Sequence, residues 1–452
     1  MALEPVRIAW MSPLPPLKTG VASYAAMLLP SMANRIETTV VVDQAEYMIP
    51  AGCQVLSIDE YRGRRGEFDA VLYHLGNNPH HEFIYREAME HAGVIVLHDL
   101  VLHHLIVEMT LARGYEQEYV DAMTLNHGAP GAALARGRAN GFHHEIANFL
   151  FPASKVIADR SRAVIVHNRY AAEALRRMHV STPVSVIDHP FVAPPPVSDS
   201  VRQTLRQELG FAAEDRLVGV FGFVTAAKRP ETVFAAFAAA SARDSRLRLV
   251  IVGEAAPNVD LASLAASHGL AAARWKSTGY VNDEEFDACL ATVDRVISLR
   301  YPSAGETSGA LLRVFHAGKP VAISDYAQFS EIPNDVATKI PLDDGEVPSL
   351  VRFLLDSSDG ESAVQRKFLE EHAAVTETVD QYLRALQSPP AVPPTRSERL
   401  SPIPLFPSLS VSKVNSLVVD DSWSVSVFMT NHSEFILRAA TYGTPEYRLI
   451  AT

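Results

Sequence analysis

The chain has 452 residues, of which 48% are apolar and 20% are charged, and its formal net charge is -12. This length and composition predict a soluble protein of two or three domains with sizeable cores. Because nucleic-acid phosphates attract basic surfaces, the acidic balance argues against nucleic acid as a partner. The two cysteines, Cys53 and Cys289, lie far apart in the sequence, so we expect no disulfide and a reducing compartment.

The sequence gives no sign of export or of a membrane span. Residues 1–10 lack the basic-then-apolar pattern of a secretion signal, and no run approaches the ~18 apolar residues that a span needs. We therefore expect a cytoplasmic protein. Peripheral contact with the inner face of a membrane stays open.

The first half alternates short apolar runs with helical patterns. Strands are predicted at 7–11, 38–42 and 70–74, within 91–97 and at 163–167, and helices at 21–32 and 169–178. Such alternation predicts a parallel sheet with helices on both faces, and ligands bind beyond the carboxyl ends of its strands. His98 falls at such a strand end. Gly20, after the first strand, either lets a phosphate approach the backbone or forms a plain turn.

A second alternating series follows the proline run at 194–196, which is typical of a stiff linker. Strands are predicted at 217–221, 247–252, 295–299 and 320–323, and helices at 231–240, 261–268, 284–293, 348–355 and 363–386. Two α/β halves joined by a hinge imply a cleft between them. We therefore predict domains at 1–193 and 194–387.

The tail, residues 388–452, is rich in proline and serine. Seven prolines fall between Pro389 and Pro407, which predicts a disordered or weakly structured segment. Alternating residues at 423–427 could pair as a small hairpin. No motif in the tail indicates a function.

The stretch 300–324 combines a strand end, a turn and a helix start. Thr307 and Ser308 precede a helical pattern that Gly318 ends. Free backbone N–H groups and the helix dipole would make this helix start an anion site, with Glu306 accepting hydrogen bonds from sugar hydroxyls. Alternatively, Thr307 or Ser308 is only a helix cap, and Glu306 only complements the dipole.

Two further loops of the second half carry candidate binding residues. The pair Lys228 and Arg229 follows the strand at 217–221 and suits a diphosphate, although two exposed, solvated side chains are the alternative. Gly279, Tyr280 and Val281 follow another strand region and could offer backbone groups to a nucleobase.

Histidines are concentrated in one region, with ten of the seventeen between His74 and His144. This concentration raises the alternative of a metal site and a metal-dependent hydrolase. However, no HExxH or similar ligand spacing occurs, so we expect hydrogen-bonding histidines and no metal. Phosphate-loop, dinucleotide and GxSxG nucleophile motifs are absent from the sequence as well.

Five segments together resemble a known family, and the resemblance spans about residues 5–386. They are SPLPPLKTGVASY, VIVLHDLVLHH, GFVTAAKRPE, GYVNDEEF and RYPSAGETSGALLRVFHAGKPVAISD, beginning at residues 12, 94, 222, 279 and 300. The chain is similar to the retaining GT-B glycosyltransferases of family 4, also called glycosyl transferases group 1. This resemblance implies two Rossmann-like domains facing a central cleft.

The resemblance also implies a function. A hexosyltransferase of this kind moves a sugar from a nucleotide-diphosphate sugar to a glycan or lipid-linked acceptor hydroxyl, with retention, in polysaccharide biosynthesis. It needs no cofactor or metal beyond this co-substrate. The family pattern places Glu306 and the backbone of Thr307, Ser308, Gly309 and Ala310 at the donor sugar and diphosphate. Lys228 matches the diphosphate lysine, and His98 matches a histidine near the reacting sugar.

Two positions depart from the family pattern. Where the family usually has a second Glu that holds the ribose, this sequence has Arg313, at a spacing one residue shorter, and Phe223 stands where an Arg often precedes the lysine. We hypothesise that Arg313 adds positive charge near the diphosphate; an outward-facing, solvated Arg313 is the alternative. These departures also keep open a non-catalytic GT-B module that binds nucleotide-sugar or glycan.

Overall fold

A computed structural model describes residues 6–356, 363–387, 409–419 and 422–431. Its first domain is built on seven parallel strands in the order β3-β2-β1-β4-β5-β6-β7. They are β1 (Arg7–Met11), β2 (Glu37–Val42), β3 (Gln54–Ser57), β4 (Ala70–Leu75), β5 (Val94–Leu97), β6 (Ala163–Val166) and β7 (Val184–Val186). Strand β5 and all of β1 after Arg7 are apolar and buried because helices cover both faces of the sheet.

Eight helices belong to the first domain. They are α1 (Gly20–Ala33), α2 (Ile58–Arg64), α3 (Glu82–Glu90), α4 (His103–Met109), α5 (Glu116–Ala139), α6 (Ile146–Leu150), α7 (Lys155–Arg160) and α8 (Arg169–Arg177). The sequence analysis did not predict α4–α7, which are inserted between β5 and β6. The helical pattern of α5 is obscured because α5 is kinked at Gly128, where φ is 63°, and carries Pro130.

The second domain contains six parallel strands in the order β10-β9-β8-β11-β12-β13. They are β8 (Arg216–Phe221), β9 (Leu247–Val252), β10 (Trp275–Ser277), β11 (Arg295–Ser298), β12 (Val321–Ser324) and β13 (Thr338–Ile340). The helices are α9 (Asp199–Glu208), α10 (Pro230–Ser241), α11 (Leu261–Ser267), α12 (Asp283–Thr292), α13 (Gly309–His316), α14 (Glu346–Leu355) and α15 (Ala363–His372). The strand order reverses between β8 and β11, so a crevice opens beyond their carboxyl ends.

The last helix, α16 (Val375–Gln387), returns to the first domain. Tyr382 is fully buried there, 6.0 Å from the ring of Trp10 between centroids, and its hydroxyl lies 2.8 Å from that of Tyr24. The helical stretch expected at 363–386 is therefore two helices that pack on different domains. The boundaries 1–193 and 194–387 stay predictions, and α16 crosses between the two cores.

Part of the tail forms an antiparallel backbone hairpin of β14 (Leu409–Val419) and β15 (Ser422–Asn431). The alternating run at 423–427 lies in β15. The prediction of disorder at 388–408 and 432–452 concerns residues outside the described ranges. Among the helices that the structure describes, none is both long and apolar enough to cross a membrane.

Candidate active site

A cavity of about 1220 Å³ lies between the two domains. It is lined by residues that follow strands of the first sheet and by the start of α13 in the second domain. Seven of the predicted site residues line it: Gly20, His98, Glu306, Thr307, Gly309, Ala310 and Arg313. The cleft expected from two α/β halves is therefore present, and these seven residues meet in it.

The start of α13 is capped by its own sequence. The Ser308 hydroxyl accepts a hydrogen bond from the backbone N–H of Leu311 at 3.3 Å, so the capping alternative describes Ser308 correctly. Ser308 does not line the cavity, whereas Gly309 and Ala310 do. Backbone N–H groups in a first helical turn have no partner inside the helix, so Gly309 and Ala310 are positioned to donate to a ligand.

Glu306 is held in place by neighbours from its own loop. The Arg300 guanidinium lies 3.1 Å from Glu306 Oε1, and the Ser303 hydroxyl, which also lies 2.8 Å from Gln328 Oε1, is 3.3 Å from Oε2. The Glu306 side chain is 20% exposed, and the residue lines the cavity. The carboxylate therefore retains lone pairs for a hydroxylated ligand.

The loop before Glu306 docks on the first domain. The backbone N–H of Leu100 donates to the Ala304 carbonyl at 2.7 Å, and the Asn168 amide donates to the Gly305 carbonyl at 2.8 Å. Gly305 has φ 79°, and a Cβ atom there would lie 2.7 Å from the Leu100 Cβ, so this approach requires glycine. These contacts position Glu306 against the first domain.

Asp99 is a cavity residue that the sequence analysis missed. Its carboxylate accepts a hydrogen bond from the backbone N–H of Asn77 at 2.8 Å. Burial, together with the negative charge of Glu306, raises the pKa of Asp99 to about 7. Asp99, like His98, follows the end of β5, so its position near a ligand could have been predicted from the sequence. Its interaction with Glu306 joins two domains, and sequence spacing could not show it.

Two histidines of the cavity wall are held as neutral rings. His98 Nε2 lies 3.0 Å from His74 Nδ1, and burial holds the pKa of His98 well below its usual range. His167 Nδ1 donates to the Ile187 carbonyl at 2.9 Å, and burial lowers the pKa of His167 to about 3. Since a carbonyl only accepts, His167 Nε2 carries no proton. That nitrogen is a buried acceptor with no partner among the described residues.

The other histidines of this region have local structural partners. His103 lies between the Phe151 carbonyl and the Tyr119 hydroxyl, each 2.7 Å away, and His81 Nδ1 donates to the His74 carbonyl. Within the described ranges, no group of three or more His, Cys, Asp or Glu side chains is arranged to hold a metal ion.

Lys228 and Arg229 point to different partners. Lys228 Nζ donates to the Phe221 carbonyl, and burial, followed by the charge of Arg300, lowers the pKa of Lys228 to about 7. The Arg229 guanidinium forms an ion pair with Glu346, whose side chain is 8% exposed. Neither basic residue lines the cavity. Lys228 and Arg229 are therefore adjacent in the sequence, but their side chains contact different residues.

The predicted nucleobase segment lies beside the cavity. Gly279 has φ 68°, and Tyr280 is 54% exposed with Lys18 Nζ 3.6 Å from its ring centroid. Lys18 belongs to the first domain, so this contact bridges the two domains. Gly279, Tyr280 and Val281 do not line the cavity.

Arg313 lines the cavity, but its charge is balanced by α12. Its guanidinium lies 2.9 Å from Asp283 and 3.4 Å from Asp287, and it stacks over the Phe286 ring at 5.1 Å. Both Asp283 and Asp287 line the cavity as well. Carboxylates are therefore present near Arg313, although they come from a different helix.

Comparison with known proteins identifies the architecture. Residues 201–364 match the family model described as glycosyl transferases group 1. HepE of Anabaena, solved with UDP, superposes with a TM-score of 0.59 at 16% identity, covering 85% of this chain and 100% of HepE. The chain has the GT-B fold. The search of curated proteins found no match.

Two other solved structures share this GT-B architecture. WaaG, a glycosyltransferase involved in lipopolysaccharide biosynthesis, gives a TM-score of 0.54 at 14% identity, covering 84% of this chain and 100% of WaaG. Sucrose-phosphate synthase from Thermosynechococcus elongatus gives 0.53 at 14% identity, covering 84% of this chain and 94% of the synthase. At such identities the likeness establishes the fold, and the chemistry has to be argued from the site.

Proposed function

We propose that this GT-B protein is a glycosyltransferase that moves a sugar from a nucleotide-diphosphate sugar to an acceptor hydroxyl. The observation that carries the proposal is the meeting of Glu306 and the start of α13 with His98, Asp99 and His167 in one interdomain cavity. Carboxylates and neutral imidazoles accept hydrogen bonds from hydroxyls, and helix starts favour anions. A sugar attached to a diphosphate requires both kinds of partner.

The groups of the site have separate roles in this proposal. Glu306 accepts hydroxyls of the transferred sugar. Gly309 and Ala310, which line the cavity, and the positive charge of Lys228, which does not line it, stabilise the diphosphate as negative charge develops on the departing oxygen. The resemblance to retaining enzymes supports a reaction on one face of the sugar. The bond from the anomeric carbon to the diphosphate oxygen breaks as the bond to the acceptor oxygen forms. The departing phosphate oxygen then takes the acceptor proton.

The acceptor in this proposal is a glycan or lipid-linked sugar that enters from the first-domain side, in the cytoplasm. No metal is assigned a role, because the basic side chains and the helix start supply the counter-charge. HepE has been solved with UDP and with UDP-glucose, so uridine nucleotides are the first donors to test.

The proposal predicts a loss of catalysis without a loss of folding when Glu306 is changed. Glu306→Gln keeps the size of the side chain but removes its charge. We expect kcat/KM for transfer or donor hydrolysis to fall about 10- to 100-fold, or about 1.4–2.7 kcal/mol. The melting temperature should stay close to that of the unchanged protein. UDP-, GDP- and ADP-sugars would be assayed by release of the nucleoside diphosphate.

Glu371→Gln is the matched control, because Glu371 is exposed on α15 and pairs only loosely with Lys367, at 3.7 Å. Equal activity of Glu306→Gln and this control would contradict the assignment of Glu306.

A second candidate function is a non-catalytic module that binds nucleotide-sugar or glycan. The pairing of Arg313 with Asp283 and Asp287, where the family has a ribose-binding Glu, favours it. Donor binding with no transfer or hydrolysis by the unchanged protein would support the module and refute the transferase.

A further inference from the structure

Two basic side chains from different loops flank the reversal of strand order in the second domain. Lys228 follows β8 and Arg300 follows β11, and these two strands are neighbours in the sheet. The backbone N–H of Tyr301 donates to the Ala227 carbonyl at 2.7 Å, which ties the two loops together. In doubly wound sheets this is the place where ligands bind. The fold therefore brings Arg300, to which the sequence analysis assigned no role, to the edge that carries Lys228.

The surroundings of Arg300 leave part of its guanidinium without a partner. Nη1 lies 3.1 Å from Glu306, but Nε is buried and has no hydrogen-bond partner among the described residues. The Arg300 side chain is only 19% exposed. A buried donor without a partner is unfavourable, so a ligand atom that accepts from Nε would relieve this cost.

The local charges also favour an anion. Lys228 and Arg300 carry two positive charges when both are protonated. Glu306 balances one of them, and the nearby Asp99 carboxyl, whose pKa is raised to about 7, balances the other only in part near neutral pH. The remaining basic residue of the loop, Arg229, is held by Glu346. A diphosphate would add the missing negative charge, and protonated Lys228 would then be favoured over the neutral form.

We propose that Arg300 binds the diphosphate of the donor together with Lys228, through the guanidinium edge that contains Nε. Glu306 keeps its contact with Nη1, so one arginine positions the sugar-binding carboxylate and contacts the leaving group. A planar guanidinium suits this task because it presents two donor edges. This inference rests on the proposed function, since it assigns a residue to that same donor site.

The test compares binding of UDP, GDP and ADP with binding of the matching nucleosides, measured by calorimetry on the full-length protein. Arg300→Ala should weaken the bound diphosphate about tenfold or more and leave the nucleoside nearly unchanged. Arg300→Lys keeps a positive charge and should recover part of the loss. Arg352→Ala is the control, since Arg352 is exposed on α14 and donates to Ser349.

A double variant separates direct binding from an effect through Glu306. In a Glu306→Gln background, Arg300→Ala should still weaken the diphosphate about tenfold if Arg300 contacts it. No further weakening there would overturn the inference, because Arg300 would then act only by holding the carboxylate. Equal weakening of nucleoside and diphosphate would overturn it too. If Arg300→Ala fails to fold, the same comparisons are made with Arg300→Lys, which keeps the charge but lacks the Nε donor.

Failure of the inference differs from failure of the proposed function. An unchanged protein that binds none of the three diphosphates refutes the proposed function, and the inference with it. Strong diphosphate binding that Arg300→Ala leaves intact refutes only the role of Arg300.

Discussion

A buried carboxyl group beside a second carboxylate binds its proton more tightly, and Asp99 is in this position. The pKa of Asp99 rises from 3.8 to about 7 because of burial and then of Glu306. Between about pH 4 and pH 7 the folded protein therefore holds a proton that the unfolded chain releases. The free energy of unfolding consequently falls as the pH rises through this window, and the full loss is present above pH 7.

Replacing Asp99 by Asn tests this titration. The Asn side chain cannot ionise, but its oxygen can still accept the hydrogen bond from Asn77. Each unit of pKa shift corresponds to about 1.4 kcal/mol in the free energy of unfolding. Because Asp99 lines the open cavity, solvent reduces this effect. We therefore expect Asp99→Asn to be about 1–3 kcal/mol more stable than the unchanged protein near pH 8, with the advantage vanishing near pH 4.

Urea denaturation across this pH range measures the difference. Asp121→Asn serves as an exposed control on α5. Parallel stability curves for Asp99→Asn and the unchanged protein would contradict the raised pKa.

How far the sequence predicts single residues depends on where their partners come from. His98 and Glu306 were predicted because strand ends and helix starts are local patterns. The sequence showed Lys228 and Arg229 as neighbours, whereas the structure places Arg300 beside Lys228 and Arg229 on Glu346. No local sequence pattern shows that Arg300, rather than Arg229, lies at the same sheet edge as Lys228. The same limit explains why Asp99, whose effect depends on Glu306 in the other domain, was missed.

At the scale of elements, α12 and α13 are joined by one arginine. Arg313 pairs with Asp283 and Asp287 and covers the Phe286 ring, with its side chain 24% exposed. We expect Arg313→Ala to cost about 1 kcal/mol of stability, because this pair is partly exposed. Arg313→Glu should cost about 2 kcal/mol, since it brings a third carboxylate to the same place.

A charge swap provides the control. Asp287→Arg, added to Arg313→Glu, should restore most of the stability in urea denaturation. If the double variant is no more stable than Arg313→Glu alone, the ion pair between Arg313 and Asp287 does not hold α12 and α13 together. The double variant also tests the hypothesis that Arg313 assists the diphosphate. UDP affinity should stay low in the swapped protein if Arg313 contacts the ligand, and it should recover if Arg313 only joins helices.

The elements themselves were largely predictable, because alternating apolar runs and helical patterns are local. The predicted strands of both sheets and the helices α1, α8, α10, α11 and α12 occur near their expected positions. The inserted helices α4–α7 were not predicted, and neither were α2, α3, α9 or the short strands β3, β7 and β13. In α5, Gly128 and Pro130 interrupt the apolar pattern. The sequence also could not show that the helical stretch at 363–386 divides at residues 373–374, because the break follows from packing on two different domains.

At the scale of the whole molecule, α16 ties the end of the globular part to the first sheet. Its Tyr382 and Val379 are buried against the first-domain core, next to Trp10 and Tyr24. We expect a chain that ends at Gln387 to fold and, under the proposed function, to bind UDP as tightly as the full-length protein does. A chain that ends at Ala374 should lose about 3–5 kcal/mol of stability, because a buried aromatic residue and its neighbours are removed.

The two truncated chains are compared by thermal denaturation and by UDP binding. Aggregation or lost affinity of the chain ending at Gln387 would show that the tail contributes to the folded body. Equal stability of both truncations would contradict the role of α16.

The loop that carries Glu306 makes the site depend on the mutual orientation of the domains. Ala304 and Gly305 are hydrogen-bonded to Leu100 and Asn168, so a rotation that separates the domains would break these bonds. The same rotation would move Glu306 away from Asp99 and His98. Under the proposed function, a donor held by the second domain alone would then face solvent without the complete set of reacting groups. We therefore expect that hydrolysis of the donor is slow unless the two domains are brought together.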